Sequence, residues 1–150
     1  QYANERVGLN NRMTDIHAAI GRVQLTRLAE WTAQRQANAA FLDAHLEGVV
    51  VPPVAPGAVH VYHQYTIRVP EDRDRIVAAL REEHQVGSGV YYPIPNHRLA
   101  SLAPYAPGLE LPETERAARE VISLPVHPSL THEHLERIVA GVNALVKAGA

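Results

Sequence analysis

Residues 14–46, TDIHAAIGRVQLTRLAEWTAQRQANAAFLDAHL, contain no proline and are rich in good helix formers. Proline removes the backbone donor a helix needs, so this stretch is free to run helical throughout. Thr14 or Asn11 can cap its start, and Gly48 can end it. Ile16, Ile20, Val23 and Arg27 trace one stripe on such a helix, while Leu25, Leu28 and Trp31 trace a second. A helical pattern this long exceeds the usual run of roughly 8–20 residues. It therefore either bends, with Gly21 as the bend or a point of close contact, or packs against something beyond its own domain. Two consecutive helices of an ordinary core are the alternative.

Prolines punctuate the rest of the chain. PPVAPG (52–57) is a turn-rich linker, dividing a helical segment at 1–51 from a small domain at 52–150. HVYHQYTIRV (60–69) alternates and predicts a strand. Val61, His63, Tyr65, Ile67 and Val69 share its apolar face; Tyr62, Gln64, Thr66 and Arg68 share the other. PEDRDRIVAALREEHQ predicts a turn capped by Asp72 or Asp74, then a helix burying Ile76, Val77 and Leu80. GSGVYYP (87–93) predicts a second strand, and VISLPV a third, ended by Pro125. Between them Pro112 suits a first helical turn, with Glu113 and Glu115 placed well for the helix dipole. Thr131 caps a last helix whose Leu135, Ile138, Val139, Val142, Leu145 and Val146 form one stripe, ended by Lys147 and Gly149. The expected fold is α/β: a small sheet of about three strands covered by helices, preceded by a long N-terminal helical segment.

Composition narrows the function. A chain of 150 residues with 46% apolar and 20% charged residues reads as one globular domain. A net charge of −2 argues against nucleic-acid and anionic-membrane partners. Cysteine is absent, which removes disulfides and thiolate metal sites. No apolar run reaches the roughly 20 residues a membrane span requires, and no signal peptide is seen, so a cytoplasmic protein is expected. The chain opens on Gln1, which is expected of a fragment. Nine histidines invite a metal reading, but His60 and His63 point to opposite faces of a strand, and His132 and His134 diverge on a helix. No metal site is expected, and His63 reads as a hydrogen-bonded core histidine. GxSxG is absent, and GSG (87–89) precedes a strand instead of opening a helix, so it is no phosphate loop of that kind.

GSGVYYPIPNH (87–97) is the stretch that invites a ligand. Only 5% of the chain is aromatic, yet two of its six tyrosines stand side by side here. Pro93 and Pro95 end the strand and stiffen the loop leaving it, a frame suited to holding binding groups.

Three stretches together carry a resemblance: GLNNRMTDIHAAIGRVQLTRL (8–28), HVYHQYTIRV followed by DRD, and GSGVYYPIPNH followed by LPETERAAREVISLPVHPSL. In this order they resemble the C-terminal part of the DegT/DnrJ/StrS family of sugar aminotransferases, across nearly the whole chain. Gln85 departs from the glycine usual there, and Asn96 from a commonly apolar position. The resemblance implies the C-terminal domain of a fold-type I enzyme that uses pyridoxal 5'-phosphate to move an amino group from glutamate to a keto-sugar nucleotide. The family's Schiff-base lysine lies in a large N-terminal domain. The single lysine here, Lys147, suits a helix end and matches no catalytic motif, so the chain contributes no catalytic residue and is expected to be inactive alone. Asn10 matches an asparagine that reaches the cofactor phosphate of the neighbouring subunit, which implies a homodimer; the alternative is a helix cap. Arg12 is placed at phosphate or substrate, or is simply exposed. Tyr91, Tyr92 and His97 match the segment lining the sugar-nucleotide entrance. Strand alternation turns one tyrosine into the core and leaves Tyr92 facing the ligand. The second stripe of 14–46 is expected to bury against the large domain. A non-catalytic regulatory or interaction domain is the other class of reading, since fold alone does not settle function.

Overall fold

The computed structural model describes residues 12–148. Thr14 starts the first helix: its hydroxyl accepts the backbone N–H of His17, satisfying a donor that every helix start leaves unpaired. Asn11 lies outside the described residues. The long proline-free stretch forms two helices, α1 (Asp15–Leu25) and α2 (Leu28–His45). The break falls at Thr26–Arg27, not at Gly21, which stays inside α1. Thr26 turns its hydroxyl back to donate to the Val23 carbonyl at 2.7 Å, a local bond that competes with helix propagation.

The two helices are treated differently by the core. α1 buries none of its side chains, and Ile16, Ile20, Val23 and Leu25 all stand exposed. α2 buries Asn38, Ala39 and Leu42. Its end is clasped to the last helix, α5 (His132–Lys147), through Asn143, which donates to the His45 carbonyl and accepts from the Glu47 N–H, both at 2.9 Å. Gly48 lies beyond the α2 cap at Leu46 and serves the following turn.

Two strands, β1 (Tyr65–Arg68) and β2 (Val121–Leu124), pair antiparallel with Ile67 opposite Ile122. α3 (Arg73–Glu82) packs on β2 and α5, and α4 (Pro112–Glu120) runs directly into β2. Tyr65, Leu42, Ile67, Leu80, Ile122 and Val142 are fully buried where these elements meet. Pro112 opens α4, and Thr131 opens α5 through a capping box with His134. Asp72 precedes α3 in left-handed backbone, φ 55°, and makes no side-chain cap bond. Among the described residues no helix is long and apolar enough to cross a membrane, and no cluster of three His, Cys, Asp or Glu could hold a metal.

The α/β class stands, with two strands instead of about three. Residues 87–93 meet the sheet only at Gly89, whose N–H and carbonyl pair with Ser123. Tyr92 then takes a left-handed φ of 58°, which is incompatible with further extended pairing. The predicted strand at 60–69 is likewise shortened. Tyr62 has φ 46°, and its N–H is taken by Nδ1 of His60 at 2.8 Å. That reversal shifts the phase of the side chains: Tyr62 turns into the core while Val61 and His63 turn out, so His63 is not a core histidine. From Tyr65 onward the alternation holds, with Tyr65, Ile67 and Val69 buried. Gln85 sits at φ 56°, which gives the glycine usual at that position in the resembling family a physical reason.

Candidate functional site

Pro93 and Pro95 hold the chain leaving Tyr92 on a fixed course into a single 3-10 turn, Asn96–Arg98. This turn leans on α4. The His97 side chain is only 5% exposed, and its Nε2 donates to Oε1 of Glu115 at 2.9 Å. Arg98 donates to the same oxygen through Nε at 3.0 Å and Nη2 at 2.7 Å. Glu115 stands near the start of α4, where the helix dipole also favours negative charge. Hydrogen bonds from His97 first and Arg98 next hold its carboxyl down at about 2, against an ordinary value of 4.5.

The linkage has a definite sign. A carboxyl whose folded value is depressed contributes stability that is fully present above its unfolded value and is lost as pH falls through the folded one. The contribution of Glu115 is therefore expected to drain away between about pH 4.5 and pH 2. Unfolding midpoints measured across that interval should fall less steeply in Glu115→Gln than in the parent chain. Parallel curves would mean that the cluster does not hold the turn.

Between the turn and α4 lies a cavity of about 550 Å³, inside the range of small-molecule sites. Tyr91, Tyr92, Pro95, His97, Leu111 and Ala117 shape it. Its lining contains no Asp, Glu, Lys or Arg, so it offers flat apolar faces with a few polar tips. Both tyrosines are exposed, Tyr91 by 53% and Tyr92 by 78%, so neither packs into the core. With no strand at 90–92, alternation has nothing to act on. Tyr91, Tyr92 and His97 are thus brought together, and Asn96 joins them in the wall. Arg12, exposed ahead of α1, is not among the lining residues. Asn10 lies outside the described residues. Glu115 was legible in the sequence only as a dipole residue, because its partners stand 17 and 18 positions away.

The pyridoxal phosphate that the resemblance implies needs a lysine amine for its covalent hold. Lys147 is the single lysine, and its Nζ lies 2.7 Å from Oε2 of Glu47 on the exposed end of α5. It does not line the cavity between the turn and α4, and the residues present do not fit covalent attachment of the cofactor.

A family model described as the DegT/DnrJ/EryC1/StrS aminotransferase family matches residues 1–143. Among curated relatives, a pleiotropic regulatory protein of Geobacillus stearothermophilus is 41% identical over 147 residues, covering 93% of this chain and 38% of the relative. A dTDP-3-amino-3,4,6-trideoxy-alpha-D-glucose transaminase of Micromonospora megalomicea subsp. nigra is 35% identical over 155 residues, covering 97% and 40%. Among solved structures, DesV of S. venezuelae in complex with a ketimine intermediate superposes with a TM-score of 0.84 at 32% identity, covering 98% of this chain and 40% of that one. The chain spans about two fifths of the length of the relatives it matches. It belongs to the DegT/DnrJ/EryC1/StrS aminotransferase family.

Proposed function

We propose that this chain is the C-terminal part of a pyridoxal-phosphate-dependent aminotransferase that transfers an amino group from glutamate to a keto-sugar nucleotide. The observation that carries the reading is the match, over nearly the whole chain, to sugar transaminases that are about two and a half times as long. An open, uncharged, tyrosine-walled cavity on the same chain supports it. Residues 52–150 form the small domain, and 1–51 link it to a large domain that supplies the lysine, with α2 shared between linker and core. The second stripe of 14–46, on which Leu25 and Leu28 stand exposed, is the surface that large domain covers. The assembly is a cytoplasmic homodimer in which Asn10 reaches the cofactor phosphate of the neighbouring subunit and Arg12 reaches phosphate or substrate. Tyr91, Tyr92 and His97 hold the sugar nucleotide, with Glu115 fixing His97.

Two measurements test this. The 150-residue chain mixed with pyridoxal phosphate is expected to show no imine absorbance near the visible edge; a band that borohydride fixes on Lys147 overturns the reading. In the intact enzyme, presented with glutamate and a panel of keto-sugar nucleotides, His97→Ala is expected to raise KM for the sugar nucleotide about tenfold, equivalent to about 1.4 kcal/mol, with kcat little changed. An unchanged KM removes His97 from the site.

A second reading has one observation in its favour. The Geobacillus stearothermophilus relative is named a regulatory protein, and a relative from Saccharopolyspora erythraea is named a sensory transduction protein. A regulatory or interaction module is distinguished by the residues encoded before Gln1: a lysine-bearing cofactor domain supports the transaminase, and an unrelated partner domain supports the module.

A further inference from the structure

α4 forms one wall of the tyrosine-walled cavity, and burial does little to hold it there. Thr114, Ala117, Ala118 and Val121 follow at helical spacing and line the cavity, yet Ala118 is the one buried residue among the nine of this helix. Burying a single methyl group is too small a gain to offset the entropy of ordering a helix. The placement of this wall therefore depends on polar contacts.

Three such contacts are made. Near the start of α4, Glu115 accepts from His97 and Arg98. At its end Glu120 is tied to the sheet: its carboxylate accepts from Nε of Arg68 at 2.9 Å, and its carbonyl accepts the Val69 N–H at 3.0 Å. Neither glutamate lines the cavity. The third contact reaches lining residues themselves. Nη1 of Arg73 donates to the Ala118 carbonyl at 3.0 Å and to the Val121 carbonyl at 3.2 Å, across 45 and 48 positions of chain. The Ala118 carbonyl is among the last four that a helix leaves without an internal partner.

Arg73 is an unfavourable residue for its own helix. It opens α3, where the dipole disfavours a cation, and Asp74, 2.5 Å from its Nε, offsets that only from an exposed position. The Arg73 side chain is nevertheless just 11% exposed. The end of α4 presents the opposite pole, which favours a cation. A local conflict with a distant compensation points to work outside the residue's own element. Asp72 makes no side-chain cap bond, so capping does not account for the DRD stretch either.

We infer that Arg73 is a positioning residue of the tyrosine-walled cavity. By holding the Ala118 and Val121 carbonyls, it sets how far the α4 wall stands from Tyr91, Tyr92 and His97, and so how tightly a ring between them is gripped. Arg73 itself does not line the cavity and acts through the wall. The clamp stands on the geometry; that the gripped ring belongs to a sugar nucleotide rests on the proposed transaminase function.

Arg73→Met keeps the aliphatic stem and removes every donor. In the 150-residue chain, amide exchange at residues 116–120 is expected to speed up by about tenfold or more, with α5 and β1 little changed. In the intact enzyme, KM for the keto-sugar nucleotide is expected to rise about fivefold with kcat little changed. The kcat/KM for glutamate, which is too small to touch both walls, should stay as in the parent. Arg73→Lys retains a cation that can reach one carbonyl, so it should restore part of both effects, and it carries the test should Arg73→Met fail to fold. Unchanged exchange in α4 overturns the clamp. Faster exchange with an unchanged KM overturns the positioning role. Acceleration spread evenly over α3, α4 and α5, an equal loss of kcat/KM for glutamate, or unfolding of both variants makes Arg73 a general fastener and also overturns it. A parent enzyme that turns over no keto-sugar nucleotide overturns the transaminase reading instead, while the exchange result still decides the clamp.

Discussion

Leu80→Ala is expected to lower the stability of this chain by about 2–5 kcal/mol, a large share of the roughly 5–15 kcal/mol that holds an ordinary domain together. Leu80 is fully buried on α3, facing α5 and close to β2. The helices approach closely there: a Cβ added at Gly141 of α5 would stand 3.2 Å from Cδ2 of Leu80 and 3.0 Å from Cγ of His84. Neighbours held this tightly by backbone cannot collapse into the space that the leucine vacates, so the cost should combine lost burial with an unfilled cavity. Urea unfolding followed by circular dichroism checks it. The midpoint should drop with an unchanged slope, since the surface exposed on unfolding is nearly the same. A loss below about 1 kcal/mol would mean that α3 is not a wall of the core.

Gly48→Ala should cost about 2–4 kcal/mol through two separate effects. Gly48 has φ +70°, a region where a side chain adds roughly 1–2 kcal/mol of strain. The new methyl carbon would also lie 2.8 Å from Cγ1 of Val146, a short branched side chain with little freedom to swing aside. Overpacking of this kind adds about 1–3 kcal/mol. The strain falls where Asn143 joins the end of α2 to α5, so the loss should appear as fraying there. Amide exchange at Leu46 and Glu47 is expected to speed up more than exchange in β1 and β2. Uniform acceleration across the chain would place the damage elsewhere.

The legible features share one property: their causes act within a turn or two of chain. Thr14 and Thr131 are caps because a hydroxyl can reach the N–H three residues on, and Pro112 opens α4 because its missing donor would be unpaired anyway. The α5 stripe of Leu135, Ile138, Val142 and Leu145 buries as its spacing demands. The tyrosine pair, its prolines and His97 could be picked out because that composition is rare in this chain.

The features that escaped depend on partners far along the chain. Alternation at 60–69 looked continuous, yet the left-handed Tyr62 breaks its phase and sends His63 outward, a choice enforced by core packing and by His60. The strand expected at 87–93 found one bridge, at Gly89, because pairing needs an extended neighbour on both sides and Tyr92 is not extended. Glu115 gained its role by meeting His97 and Arg98 from another element. Short-range hydrogen bonding and side-chain periodicity are written residue by residue and can be read from a string. The closure of a cavity is a property of which surfaces end up in contact, and burial of apolar area across the whole chain selects those surfaces.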